Sequence, residues 1–172
     1  MGKTLRLSMI FLLAINLSFA QTKEEKKNNK EEKAKNEYEE TKLLIDSGAY
    51  NFIATWTTTQ NGRRIDLTTN MGYLKINKDN ADADLPYFGV AQVASFSGNG
   101  GIKFNNENIN YQIELNDKKQ LIIIQFKANQ KSEALDLTLS VFKSGNASLY
   151  VSSSNRNSIS YDGRVTELAN SD

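Results

Sequence analysis

The acidic segment Asp79-Asn80-Ala81-Asp82-Ala83-Asp84 comes closest, by residue type and spacing, to a site that could do chemistry. Carboxylates two residues apart begin the loops in which proteins bind Ca²⁺. The rest of that pattern is missing, because Leu85-Pro86 stands where the loop needs a glycine and Ala91 where it needs a bidentate glutamate. We therefore expect no metal site, and in a β-strand Asp82 and Asp84 would share one face, toward solvent.

The absence of histidine and cysteine from all 172 residues excludes several classes of enzyme. Ser-His-Asp and Cys-His nucleophiles, thiol redox chemistry and the usual zinc, copper and haem ligands are all ruled out. Histidine is also the commonest proton carrier near neutral pH. An enzyme would have to use carboxylates, Lys or Tyr, and we predict no catalytic residues and no cofactor.

A carboxylate-based glycoside hydrolase would need two acids about 5–10 Å apart across a cleft. No spacing in the sequence pairs any two acids in this way. The available candidates are Glu107, Glu114, Asp117, Asp136 and Asp162.

A more informative segment is Leu85-Pro86-Tyr87-Phe88-Gly89-Val90-Ala91-Gln92, which leads through Phe96 to the turn Gly98-Asn99-Gly100-Gly101. It contains the only proline of the chain and two adjacent aromatic residues. Rigid aromatics beside permissive backbone suit the rim of a ligand site, although the same residues could plug the end of a small β core. The candidate ligand-binding residues are Tyr87, Phe88, Gly89, Gly100 and Gly101.

The N-terminus has the plan of a secretion signal, with Lys3 and Arg6 ahead of an apolar run that ends in Ser18-Phe19-Ala20. We predict a signal peptide over residues 1–20, with cleavage after Ala20, and a location in a bacterial periplasm or outside the cell. An uncleaved anchor is the alternative, but the apolar run is short for a membrane span. Without cysteine, the mature chain cannot carry a lipid on a cysteine. Because cleavage removes the apolar run, we also expect no integral membrane segment in the mature chain.

Residues 21–36 are almost wholly Lys, Glu and Asn, and we interpret them as a charged tail or spacer. Tyr38, Thr41 and Ile45 then follow at helical spacing, which predicts a short amphipathic helix that ends at Ser47-Gly48. The formal net charge is only +1, and Lys and Glu alternate, so we expect no nucleic-acid partner. Residues 37–172 are predicted to form a single domain.

Beyond Gly48 the apolar residues alternate with a period of two, and polar turns separate the runs. This pattern predicts a mainly all-β fold, in which a single antiparallel meander of about nine or ten strands forms a barrel or a sandwich. Ile113 and Leu115 belong to one alternating run. Leu121-Ile122-Ile123-Ile124 is apolar on both sides, which predicts a central strand covered on both faces.

The chain also resembles a known family in several motifs: Ile45-Asp46-Ser47-Gly48-Ala49-Tyr50-Asn51-Phe52, Asp84-Leu85-Pro86-Tyr87-Phe88-Gly89 and Asn155-Arg156-Asn157-Ser158-Ile159-Ser160-Tyr161-Asp162-Gly163. With Arg64–Asn70 and Gly100–Phe104, they look like domain-of-unknown-function family 4251 (DUF4251), secreted β proteins of Bacteroidota. The resemblance covers about residues 42–167. It implies a periplasmic or secreted protein of a Gram-negative bacterium but brings no known activity, cofactor or catalytic residue.

Together these observations favour a non-catalytic exported protein that binds a small amphipathic ligand or a glycan. The alternative is an envelope module that binds another protein or has a structural role, and a carboxylate-based hydrolase is a third possibility. The identity of the ligand or partner, the oligomeric state and the presence of an internal cavity are left open by the sequence.

Overall fold

The computed structural model describes residues 2–89 and 100–168, and the side chains of residues 24–89 and 100–168. The chain divides into two compact units, Met1–Asn36 and Glu37–Asp172. The first unit is helical and the second contains all the strands. The fold is mostly β, as the alternating pattern predicts.

Helix α1 spans Gly2–Asp46 and so begins well before the short helix expected from the apolar spacing. Lys and Glu are good helix formers, and Lys27 and Glu31 form an exposed ion pair of 3.8 Å one turn apart. The segment 21–36 is therefore helical rather than irregular. No helix in the described residues is both long and apolar enough to cross a membrane.

The end of α1 lies where the sequence places it. The backbone N–H of Gly48 donates to the carbonyl of Ile45, and Gly48 has a φ of 65°. This left-handed conformation closes the helix and favours glycine. The chain then enters the first strand directly.

The last turns of α1, within the second unit, pack on the β-sheet through Tyr38, Thr41 and Ile45, which are all buried. The hydroxyl of Thr41 donates to the carbonyl of Lys143 at 2.8 Å, and that of Tyr38 to the carboxylate of Asp117 at 3.1 Å. Burial, together with Asp117, raises the pKa of Tyr38 to about 12. These contacts fix the predicted amphipathic helix to two hairpin turns.

Ten strands follow α1, and nine of them form one continuous antiparallel sheet in the order β5-β4-β3-β1-β10-β9-β8-β7-β6, with β2 paired to β1. The sheet curls into a half-barrel. The strands are β1 Ala49–Thr59, β2 Arg64–Asp66, β3 Gly72–Asn77, β4 Asn80–Leu85, β5 Ile102–Asn106, β6 Tyr111–Asn116, β7 Leu121–Gln130, β8 Glu133–Phe142, β9 Asn146–Ser153 and β10 Ile159–Glu167.

The core fills the concave side of this sheet because alternate residues of each strand face inward. In β8, for example, Leu135, Leu137, Leu139 and Val141 are buried, whereas the residues between them face out. The interior also holds the side chains of Tyr50 and Tyr161. Inward-facing side chains thus form a packed core along the described strands.

A close backbone approach marks the centre of the sheet, where β1 pairs with β10 through a register shift between Ala54 and Trp56. Gly163 of β10 lies opposite Ala54. A Cβ on Gly163 would overlap the carbonyl oxygen of Ile53 and would lie 3.0 Å from the Cα of Ala54. The bulge is compatible only with glycine at this position.

Strand β6 departs from the expected burial. Ile113 and Leu115 are opposite the buried Ile124 and Ile122, so they face the concave side, but they are 39% and 47% exposed. They remain accessible because β6 is the last strand of the sheet. The prediction that residues 121–124 form a central strand is also wrong, since β7 lies second from this edge and Ile123 is only half-buried.

Candidate ligand-binding site

Three connections meet at the end of the sheet opposite the C-terminus of α1: those between β4 and β5, β7 and β8, and β9 and β10. They are joined by a buried ion pair, in which Glu133 is 0% and Arg156 5% exposed. Arg156 donates Nε to Oε1 of Glu133 at 2.8 Å and Nη2 to Oε2 at 2.6 Å. The planar guanidinium and the carboxylate thus match in two hydrogen bonds, the strongest geometry for such a pair.

The same guanidinium binds further groups from the neighbouring connections. Arg156 donates Nη1 to the carbonyl of Gly101 at 3.0 Å and Nη2 to Oε1 of Gln130 at 3.0 Å, and it lies 4.8 Å from the ring centroid of Tyr87. The hydroxyl of Ser153 donates to Glu133. We call Tyr87, Gly101, Gln130, Glu133, Ser153 and Arg156 the rim network.

Burial raises the pKa of two tyrosines, Tyr87 within this network and Tyr161 beside it. It raises the pKa of Tyr161 well above its usual range, although Arg156 nearby acts in the opposite direction. The pKa of Tyr87 is raised for the same reason, against the opposing effect of Arg156. Both hydroxyls are donors, Tyr161 to the carbonyl of Pro86 and Tyr87 to that of Asn157, each at 2.9 Å.

The predicted binding residues lie at this end but do not converge on one pocket. Tyr87 is half-buried against Arg156, and Phe88 is 45% exposed. Gly89 lies beneath Tyr87, where a Cβ would overlap the tyrosine hydroxyl. Gly100 and Gly101 line a pocket of about 350 Å³ that Tyr87, Phe88 and Gly89 do not reach.

The rest of the predicted rim, residues 90–99 with Ala91, Phe96 and Gly98, lies outside the described residues. Within the described part, Tyr87 and Gly101 hold three connections together through Arg156. In this arrangement Tyr87 and Gly101 connect loops at this end of the sheet. Because Arg156 is buried and its guanidinium makes several hydrogen bonds within the protein, it is better suited to hold these loops in place than to bind a ligand.

A larger cleft lies on the outer face of the sheet, beside the line along which β5 approaches β7. We call this line the seam. Asn106 of β5 closes this seam, because its amide accepts from the backbone N–H of Asn129 at 2.6 Å and donates to the carbonyl of the same residue at 3.1 Å. Strand β6 begins at Tyr111, opposite Phe126, and therefore does not pair with Asn129. The side chain of Asn106 takes the place of this missing backbone pairing. The seam is fixed by a carboxamide instead of a strand.

The cleft beside this seam has a volume of about 860 Å³, within the usual range for small-molecule sites. Half of its lining residues carry carboxamides, and of these seven only Asn106 makes a side-chain hydrogen bond within the described part of the protein. We call it the carboxamide cleft after these seven lining residues: Asn105, Asn106, Asn108, Asn110, Gln112, Gln125 and Asn129.

Two of the five acids considered for hydrolysis, Glu107 and Asp136, also line this cleft. Both are exposed, and Asp136 forms an ion pair with Lys127 at 3.3 Å. Among the described residues no cluster of three or more His, Cys, Asp and Glu side chains could hold a metal ion. The cleft thus offers mainly neutral donors and acceptors.

The acidic segment considered for calcium lies in β4. Asp82 and Asp84 share the outer face, as expected for a strand, and each has a partner. The hydroxyl of Tyr73 donates to Asp82 at 3.1 Å, and Lys103 binds Asp84 at 2.9 Å. Both carboxylates thus bind neighbouring side chains on the outer surface of the sheet.

The sequence alone does not reveal the carboxamide cleft, because Asn105-Asn106-Glu107-Asn108 has the composition of the polar turns that separate strands. A signal was available, since Asn110 and Gln112 continue the same run of amides. Gln125 and Asn129, however, lie on another strand. Only the curl of the sheet brings the two groups together.

The comparisons with known proteins agree with this architecture. A crystal structure at 1.95 Å resolution of a DUF4251 family protein from Bacteroides eggerthii DSM 20697 is similar, with a TM-score of 0.56 and 16% sequence identity over 76% of this chain and 87% of that chain. At this identity the similarity concerns the fold. No curated protein matches the chain. The family model described as domain of unknown function (DUF4251) matches residues 32–165, and the chain therefore belongs to the DUF4251 family.

Proposed function

We propose that this protein is an exported, non-catalytic binding module and that it holds a glycan in the carboxamide cleft. The observation that carries the proposal is the concentration of seven carboxamides in one cleft of about 860 Å³. Of the two ligand classes considered from sequence, a small amphipathic molecule and a glycan, this lining favours the glycan.

The preference for a glycan follows from the hydrogen-bonding groups of the two partners. Each carboxamide offers two donors and an acceptor in a fixed plane, and each sugar hydroxyl both donates and accepts. A site built to hydrogen-bond hydroxyls selects against analogues that lack them. An apolar ligand would leave these amides without partners.

Calorimetric titration with a panel of neutral oligosaccharides of glucose, mannose, galactose and N-acetylglucosamine tests the proposal. At least one member should bind, and the double variant Gln112→Ala/Gln125→Ala should bind it about tenfold or more weakly, because several hydrogen bonds of about 1 kcal/mol are lost. Both glutamines are exposed, so the variant should fold normally.

Gln60→Ala provides the matched control, since Gln60 is an exposed glutamine outside the cleft. It should bind like the unmodified protein. No binding to any member of the panel, or equal loss in Gln60→Ala and the double variant, would contradict a glycan site in this cleft.

Export is part of the same proposal, with residues 1–20 as a signal peptide, residues 21–36 as a charged spacer and residues 37–172 as the binding domain. The basic start and the apolar run before Ala20 support it. Expression of the full chain in a Gram-negative host should give a periplasmic or secreted protein whose intact mass corresponds to a chain beginning at Gln21. A cell-associated chain that retains Met1 would count against export.

A second role, binding another protein of the envelope, is favoured by the edge strand β6. Its outer edge is unpaired within the described residues, and Ile113 and Leu115 are partly exposed beside it. Edge strands of this kind accept a strand from a partner. Cross-linking from Glu114→Cys, in a chain that otherwise has no cysteine, should capture a reproducible partner only if this role applies.

A carboxylate-based hydrolase is the third proposal, because Glu107 and Asp136 line the carboxamide cleft. The titration mixtures distinguish it from binding alone. Chromatography should recover the bound oligosaccharide intact if the protein only binds. Shortened products that disappear with Glu107→Gln would support hydrolysis.

A further inference from the structure

We propose that the glycan is a chain that extends out of the carboxamide cleft across the outer face of the sheet to Tyr150. This inference rests on the proposed function of the cleft. It adds a direction, a length and an aromatic contact point to that site.

The strand register places a continuous row of side chains on this face. Gln112 is paired with Gln125, Gln125 with Thr138, and Thr138 with Tyr150. Directly paired residues of antiparallel strands point to the same face. The first three line the cleft, so Tyr150 is the next side chain beyond its margin.

The row continues past Tyr150 with hydroxyl side chains. Tyr150 is paired with Ser160, and Ser160 with Thr58. Neighbouring strands are about 4.8 Å apart, so the three steps from Gln112 to Tyr150 span ~14 Å. This distance exceeds the width of one sugar ring and suits an oligosaccharide that crosses the strands.

Tyr150 is suited to contact such a chain. It lies on the outer face and is 46% exposed, although a large aromatic side chain gains more by burial. The face of its ring offers a flat apolar surface for the C–H groups of a sugar, and its hydroxyl offers a polar tip. An exposed aromatic next to a row of amides and hydroxyls thus provides both kinds of contact that a sugar ring needs.

The absence of strong charge along the row defines the ligand class further. Gln112, Gln125, Thr138, Tyr150 and Ser160 are all uncharged at neutral pH. Of the three charged residues that line the cleft, Lys127 and Asp136 neutralise each other in an ion pair of 3.3 Å, and the third is the acidic Glu107. A neutral glycan therefore fits the row better than a uronic-acid or sulfated polymer.

Titration with a length series of a neutral oligosaccharide that binds tests this inference. In the unmodified protein the tetrasaccharide should bind more tightly than the disaccharide. Tyr150→Ala should weaken tetrasaccharide binding by about tenfold, leaving disaccharide binding within twofold, whereas Tyr150→Phe, which keeps the ring, should retain most of the affinity.

Phe142→Ala is the matched control, because Phe142 is also 46% exposed on the outer face but is paired with Leu121 and lies off the row. It should leave both affinities unchanged. If Tyr150→Ala and Phe142→Ala behave alike while Gln112→Ala/Gln125→Ala abolishes binding, the extended row is wrong and the cleft is right. If no oligosaccharide binds, both proposals are wrong.

Discussion

Glu133→Ala is expected to lower the free energy of unfolding by about 3–5 kcal/mol, the range found when one member of a buried ion pair is removed. Arg156 would then be left 5% exposed without its carboxylate. Ser153, which donates to Glu133, would also lose its acceptor. Urea unfolding followed by circular dichroism measures the loss.

The reason for this large effect is the lost partner, and a second variant separates it from the loss of packing. Glu133→Met/Arg156→Met removes both charges together, so it should be clearly more stable than Glu133→Ala. Lys127→Ala provides an exposed comparison, since its ion pair with Asp136 is largely in solvent and should contribute less than about 1 kcal/mol. Equal losses in Glu133→Ala and Lys127→Ala would show that the rim network does not hold the loops.

Gly163→Ala is expected to destabilise the protein by about 3 kcal/mol, the upper end for overpacking by one methyl group. The added Cβ would overlap the carbonyl oxygen of Ile53 and lie 2.8 Å from its carbonyl carbon. Both are backbone atoms, so no side chain can rotate to make room. Strands β1 and β10 would have to separate at the bulge between Ala54 and Trp56.

Gly100→Ala is the matched control for this prediction, because a Cβ at Gly100 would meet no atom of the described residues within 4 Å. It should change the free energy of unfolding by less than about 0.5 kcal/mol. Thermal and urea unfolding of the two variants provide the comparison. A Gly163→Ala protein as stable as Gly100→Ala would contradict the close approach of β1 and β10.

The fold was predictable where the chain alternates strictly, because period-two alternation specifies which residues face the core. β8 and β9 are examples. The end of the helix was predictable for a different reason, since the left-handed conformation that closes a helix favours a glycine such as Gly48. The burial of β6 was not predictable in this way. Alternation indicates which face a residue shares but not whether the strand lies at an edge, and Ile113 is exposed for that reason.

The candidate site could be predicted only in part. Tyr87 and Gly101, which the sequence proposes for one ligand-binding rim, both contact Arg156. In the described structure these contacts hold loops together. Glu133 and Arg156 gave no local signal, because their pairing spans 23 residues. The cleft between Asn106 and Asn129 likewise depends on the curl of the sheet, which no local pattern specifies.

The most direct test of the account is a nuclear magnetic resonance titration that follows the side-chain NH₂ signals of asparagine and glutamine as a neutral oligosaccharide is added. Shifts should concentrate in the carboxamide cleft, above all at Gln112 and Gln125, while distant amides such as that of Gln60 stay unchanged. Shifts confined to the backbone around Tyr87, Phe88 and Gly89, or no shifts with any oligosaccharide, would contradict it.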